Sequence, residues 1–242
     1  MDHSINTIKS KKTEIRAMFN SIARHYDFLN HFLSLGIDIS WRKRLIRELK
    51  KYNPQNVIDI ATGTADLAIM AAKKGISSII GVDLSSNMIE FGLEKIKKEN
   101  LQNRISLQIG DAEELNFQNG YFDAAIVAFG IRNFENLEKG LIEISRVLKE
   151  GSPILVLEFS KPTIFPIKQF YWFYSKAFLP FIGRIISKDK SAYTYLPESI
   201  ADFPYGNSLI TIFKNCGYEN CWFRPLTFQI ATLYVGIKKR ES

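Results

Sequence analysis

The stretch "VIDIATGTADLA", residues 57–68, decides the fold. Val57, Ile58 and Ile60 form a short apolar run of the kind that fills a strand buried on both faces. The run ends in the loop Ala61–Ala65, which holds a single glycine, Gly63, and opens into a helical pattern. A strand–loop–helix unit of this kind grips a nucleotide-like ligand, because the loop backbone and the helix N-terminus both turn toward it. A dinucleotide site asks for G-x-G-x-x-G at this point. Here Gly63-Thr64-Ala65-Asp66-Leu67-Ala68 places alanine at the second and third glycine positions.

Outward from this unit the same alternation repeats. Strand-like runs occur at 56–60, 78–83, 104–109, 122–128 and 153–159, with helical patterns at 64–74, 85–99 and 135–149. Strands separated by helices imply right-handed crossovers and a parallel sheet covered on both faces, an α/β Rossmann-like fold. Two further runs, 218–224 and 228–237, lie close enough to form an antiparallel hairpin, which gives a seven-stranded sheet. Upstream, Ile15, Met18, Phe19 and Ile22 keep helical spacing. A second helix is expected over about 40–50, capped by Ser40, with Trp41, Leu45 and Leu49 on one face. A further helix is expected to run from Pro197 to about Asn215. The expected organisation is an N-terminal helical extension over 1–52 that closes the site, then one α/β domain over 53–242 with a helical insertion at about 161–195.

Bulk properties narrow the class. The 242 residues are 46% hydrophobic and 24% charged, ordinary for a globular chain, and carry a net charge of +7. That excess suits an anionic partner or simple solubility. Cys216 and Cys221 are too few for a disulfide framework or a four-cysteine zinc site, so free thiols are expected. No Cys/His/Asp cluster has metal-ligand spacing, and no metal is expected. The N-terminal "MDHSINTIKSKKTEIR" lacks the apolar core of a signal peptide, and "FYWFYSKAFLPFIG" is interrupted by Lys176 and Pro180. A cytoplasmic location follows as the expectation, with contact at a membrane surface left open.

The loops after the strands name the cofactor. Asp83 ends the second strand in "IIGVDLS", about 20 positions beyond the first loop, where a carboxylate accepts both ribose hydroxyls. Asp66 lies in the first turn of the following helix, where a pyrophosphate would otherwise sit and a carboxylate would repel it. S-adenosylmethionine carries a sulfonium and an ammonium and no phosphate, and Asp59 and Asp66 suit such a cation. "LQIGDAEEL" puts Asp111 and Ala112 after the third strand, to accept from an adenine amino group and donate to a ring nitrogen. Acidic loops after strands one, two and three together point to a class I methyltransferase rather than to a nucleotide oxidoreductase.

At this point the chain resembles the menaquinone/ubiquinone biosynthesis C-methyltransferases over nearly its whole length, from about Met18 to Ile237. "YDFLNHFLSLGIDISW" (26–41) and "RVLKEGSPILVLEFSKP" (146–162) are similar to the two signatures of that family. "FGIRN" (129–133) and "YTYLPESIADFP" (193–204) match stretches characteristic of it. There are departures: Asp38 stands where the family commonly has histidine, Ala65 where it often has glycine, and Ala128 where many members have serine. No catalytic role is therefore carried to position 38.

The resemblance implies methyl transfer from S-adenosylmethionine to a ring carbon of a polyprenylated quinol. Demethylmenaquinol is the expected substrate, a ubiquinone benzoquinol precursor the alternative, and an RNA methyltransferase the remoter rival. Carried over, Thr64, Asp83, Asp111 and Ala112 contact the cofactor, and Gly63 lets the backbone approach it. A ring carbon is a weak nucleophile, so the enzyme must align it and stabilise the neighbouring ionised hydroxyl. Arg132 is expected to supply a fixed cation, Asn133 to orient the hydroxyl and Tyr26 to close the site. His25 and His31 are weaker candidates for a base. The aromatic segment 165–181, with Lys168 and Lys176, is expected to border the prenyl tail and touch a membrane. The expected partners are thus a lipid-soluble quinol and a membrane surface, with a homodimer left open and no nucleic acid, since no RNA-binding module is present.

Overall fold

The computed structural model describes residues 11–34, 36–173 and 191–240. Seven strands form one sheet: β1 (Asn56–Ile60), β2 (Ser78–Asp83), β3 (Ile105–Ile109), β4 (Ala124–Ala128), β5 (Pro153–Phe159), β6 (Tyr218–Leu226) and β7 (Ala231–Lys238). Their spatial order is β3-β2-β1-β4-β5-β7-β6. The pairs among β1 to β5 are parallel, while β7 runs antiparallel to both β5 and β6. The described helices are α1 (Lys11–Leu33), α2 (Ile37–Leu49), α3 (Asp66–Lys73), α4 (Ser86–Lys98), α5 (Leu137–Val147), α6 (Ile167–Phe173), α7 (Ser191–Asp202) and α8 (Asn207–Asn215). The expected strands and crossover helices are all present, with ends within three residues of those read from the sequence.

Strand alternation builds two cores, one on each face of the sheet. Val57, Ile126, Leu155 and Leu233 face Trp41, Leu45 and Leu49 of α2. Ile58, Ile60, Val127 and Val156 face Leu141, Ile144 and Phe213 on the other side. Because both faces are covered, β1, β4 and β5 read as predominantly apolar runs, broken only by Asp59 in β1 and Glu158 in β5. The sheet order reverses between β1 and β4, and a crevice opens there beyond the carboxyl ends of the strands.

Two helix boundaries differ from expectation. The second helix starts at Ile37, with Gly36 in the left-handed region (φ 73°) as its cap, so Ser40 lies inside its first turns. The left-handed turn reverses the chain without a side-chain cap, which is why the serine misled. The expected single helix from Pro197 is two, because Pro197 sits within α7 and Phe203–Gly206 separates it from α8. Gly206 adopts φ 61° and ψ −130°, open to glycine, and its N–H donates to Tyr234 Oη at 2.9 Å. Much of the expected insertion, 174–190, lies outside the described residues. Cys216 and Cys221 are free thiols, Cys216 buried.

Candidate cofactor and substrate site

The crevice at the reversal point is lined by Gly63, Asp83, Asp111, Ala112, Gly130 and Asn133, and is covered by Lys12, Ile15, Arg16 and Phe19 of α1. Four of the five cofactor candidates read from the sequence therefore meet at one cavity. The loop that forms its floor is tightly wound. Ala61 (φ 52°), Gly63 (φ 56°), Ala65 (φ 66°) and, across the crevice, Phe129 (φ 60°) all take left-handed conformations. Such strain in non-glycine residues clusters where a ligand must be approached closely. Ala65 thus holds the left-handed turn that glycine would adopt freely.

Asp83 is aimed by the backbone. Its Oδ2 accepts from Gly63 N–H at 2.8 Å and its Oδ1 from Ser85 N–H at 2.9 Å. Burial pushes its carboxyl up, while the N–H groups of Ser85, Gly63 and Leu84 oppose that shift. Asp111 accepts from Glu113 N–H at 2.9 Å and pairs with Lys12 Nζ at 2.7 Å. The same ammonium lies 2.9 Å from Glu113 Oε2, so one lysine ties α1 to the loop after β3. Glycines keep the crevice open. A Cβ at Gly130 would meet the Ala61 methyl at 2.4 Å, and one at Gly110 would meet Val82 at 2.8 Å.

The fit to S-adenosylmethionine rests on this donor set. Two backbone-oriented carboxylates stand at the end of β2 and just after β3, chemically suited to hydroxyl and amino donors, with Asp111 also paired to Lys12. Of the lysines at this site, Lys95 is held by Asp66 and by Thr64 of the loop after β1, and Lys12 by Asp111 and Glu113. The two other acidic residues are not free anions for the cofactor, a correction to the sequence reading. Asp66 pairs with Lys95 and, at 3.8 Å, with Arg42. Asp59 is buried beneath the loop, accepts from Thr62 Oγ1 at 2.7 Å, and has its carboxyl pushed up to about 7 by desolvation. Thr64 is the fifth candidate, and its hydroxyl is engaged by Asp27 and Lys95 rather than presented to the cavity.

The expected catalytic residues separate. Asn133 lines the cofactor cavity. Arg132 is buried and borders a second cavity of about 350 Å³ together with Ile131, Tyr195 and Phe203. It is not an uncompensated cation. Its Nη1 lies 2.8 Å from Glu158 Oε1, also donates to the Phe129 carbonyl, and its guanidinium sits 5.5 Å from the centre of the Phe159 ring. Its Nε is a buried donor with no partner among the described residues. The side chains of Tyr26, His25 and His31 lie outside what the structure describes. Asp38 forms a buried pair with Arg42 and accepts from Ser34 Oγ at 2.6 Å.

Sequence reasoning missed Lys12, Glu158 and Tyr195. Glu158 lies within "LEFSKP" and Tyr195 within "YTYLPESI", so both stood in motifs already singled out. Lys12 carried no signal. Tyr195 Oη donates to Asn133 Oδ1 at 2.9 Å, across 62 residues of chain. Among the described residues no group of His, Cys, Asp or Glu is arranged to hold a metal.

Comparison with known proteins agrees with this geometry. Residues 7–238 match the ubiE/COQ5 methyltransferase family. The chain is 45% identical over 230 residues to the demethylmenaquinone methyltransferase of Porphyromonas gingivalis, covering 94% of each. It is 47% identical over 229 residues to that of Bacteroides fragilis, again covering 94% of each. A ubiquinone/menaquinone biosynthesis C-methyltransferase of Geobacter sp. strain M21 is 43% identical, covering 96% of this chain and 99% of the relative. Among solved structures, a putative S-adenosylmethionine-dependent methyltransferase of Methanococcus maripaludis superposes with TM-score 0.64 at 18% identity, covering 92% and 94% of the two chains. The [4+2]-cyclase SpnF superposes at 0.69 with 14% identity, covering 94% of this chain and 97% of that one. The fold thus also hosts other chemistry, and the activity is carried by the family match and the site. With Asp83 and Asp111 set around a left-handed loop at the reversal of the sheet, the chain belongs to the ubiE/COQ5 methyltransferase family and is an S-adenosylmethionine-dependent methyltransferase.

Proposed function

We propose that the chain methylates a ring carbon of demethylmenaquinol to give menaquinol, the last step of menaquinone biosynthesis. The observation that carries this reading is the 45–47% identity, over 94% of both chains, to relatives named demethylmenaquinone methyltransferase. A benzoquinol precursor of ubiquinone is the second substrate class, favoured by relatives at 43% identity named for both pathways.

In this reading Asp83 accepts the ribose hydroxyls, Asp111 accepts from the adenine amino group, and the Ala112 N–H donates to a ring nitrogen. Gly63 and the left-handed loop bring backbone close to the cofactor, and Thr64 stabilises that loop through its contacts to Asp27 and Lys95. When bound, S-adenosylmethionine supplies an electrophilic methyl group on its sulfonium. The protein's own part is to raise electron density on the quinol carbon by favouring loss of the neighbouring hydroxyl proton. Asn133 offers an amide at the cofactor cavity, while Arg132 borders the second cavity, where its buried Nε still has a donor to spare. Glu158 holds the guanidinium in place and balances its charge, so Arg132 works as a directed donor more than as a free cation. Net, one ring hydrogen leaves as a proton and a methyl replaces it. Residues 1–52 are proposed to cover the site and exclude water, with Ile15 and Phe19 of α1 over the cavity and a closing role proposed for Tyr26.

Ile164, Phe165 and Phe173 are exposed near Lys168, an arrangement that suits reversible contact with an anionic lipid surface. No described helix is long and apolar enough to cross a membrane. Absence of co-sedimentation with anionic liposomes at low salt would remove the membrane proposal. For the reaction itself, purified protein is supplied with labelled S-adenosylmethionine and each demethylated quinol under reducing conditions. Label is expected in the naphthoquinol, and label in neither lipid would overturn the proposal.

A further inference from the structure

We propose that Tyr195 is a positioning residue that fixes which end of the Asn133 amide faces the substrate, an inference that rests on the quinol reading above. Asn133 comes from the turn after β4 and lines the cofactor cavity, whereas Tyr195 comes from α7 and borders the second cavity beside Arg132. Their 2.9 Å hydrogen bond joins the rims of the two cavities.

An asparagine amide is two-faced, with one carbonyl acceptor and two N–H donors. The Tyr195 O–H is bound to Oδ1, so the Nδ2 donors are the end left for a ligand. A donor is what an ionising quinol hydroxyl needs; a flipped amide would present a lone pair and repel the same oxygen. The phenol is suited to remain a donor. Burial raises its pKa, Arg132 opposes that rise and Glu158 adds to it, so Tyr195 stays protonated at neutral pH. Tyr195 therefore acts through Asn133, and α7 contributes to catalysis without touching the cofactor.

The test is a mutant cycle of Tyr195→Phe and Asn133→Leu with demethylmenaquinol. Tyr195→Phe is expected to lower kcat about tenfold, the loss of one directed hydrogen bond, with KM for S-adenosylmethionine and Tm unchanged. In the Asn133→Leu background the same change is expected to have no further effect, because the two residues act as one unit. A second readout needs no turnover. In cofactor-free protein the Asn133 side-chain amide resonances, assigned by their loss in Asn133→Leu, should move in Tyr195→Phe. Losses that multiply in the double variant, an unchanged kcat, or an unmoved Asn133 amide would each overturn the inference. No transfer by the wild-type chain would overturn the quinol reading and this inference with it, so the two failures are told apart.

Discussion

Replacing Asp59 with asparagine separates two accounts of the acid beneath the cofactor loop. Asp59 is 1% exposed, and its carboxyl is pushed up to about 7 by desolvation, against the opposing effects of the Thr62 hydroxyl and the Arg42 charge. In the unfolded chain an aspartate titrates near 3.9. A group with a raised folded pKa contributes stability that is fully present below about pH 4 and is lost as the pH rises to about 7. Between those limits folding holds a proton that unfolding releases, so stability falls by about 1.4 kcal/mol per pH unit, about 4 kcal/mol in all. Asparagine cannot ionise and keeps an acceptor for Thr62 Oγ1. The stability of Asp59→Asn minus that of the wild type, from urea unfolding of cofactor-free protein, should therefore grow with pH by about 4 kcal/mol across this window and then level off. Taking the difference cancels the other carboxyls. Parallel profiles for the two proteins would show that Asp59 is already ionised in the fold and would refute its burial as a neutral acid.

Other changes probe the remaining parts of the site. Glu158→Gln leaves the buried Arg132 without its counter-charge and should cost about 3 kcal/mol, a fall in Tm of about 6–12 °C, whereas the paired change Arg132→Met with Glu158→Leu should restore most of it. A loss below about 1 kcal/mol would mean that the pair is solvated. Asp83→Ala should weaken S-adenosylmethionine binding by at least about tenfold in calorimetric titration, and unchanged affinity would deny it the ribose contact. Gly130→Ala must push apart two methyl groups placed 2.4 Å from each other, so it should destabilise the fold by about 1–3 kcal/mol and reduce cofactor affinity. Normal stability and binding in that variant would show that the crevice walls yield easily.

The sheet was legible because β1, β4 and β5 are buried on both faces and are mostly apolar, with Asp59 and Glu158 as buried exceptions near their carboxyl ends. The hairpin was legible from two strand runs set close together. What the sequence concealed was set by contacts distant along the chain or by backbone conformation. Gly36 caps α2 with a left-handed turn rather than a side chain, so Ser40 drew the boundary too late. The site loops were legible because the parallel strands β1 to β5 all send their carboxyl ends to the same edge of the sheet, and Asp83, Asp111, Ala112 and Gly63 do meet there. Charge was less readable than position. Arg132 looked like a free cation until Glu158, 26 residues on, appeared against it, and Asp66 looked available until Lys95 did. Lys12 reaches Asp111 across 99 residues, and local spacing does not record a pairing of that kind.

The most direct test of C-methylation is where the methyl group goes. Wild-type protein, S-adenosylmethionine carrying a ¹³C-methyl and reduced demethylmenaquinone are incubated together, and the lipid product is examined by NMR. A single new methyl bonded to a ring carbon, formed in equal amount with S-adenosylhomocysteine, is the predicted result. A methyl ether on oxygen, or S-adenosylhomocysteine with no methylated lipid, would contradict it.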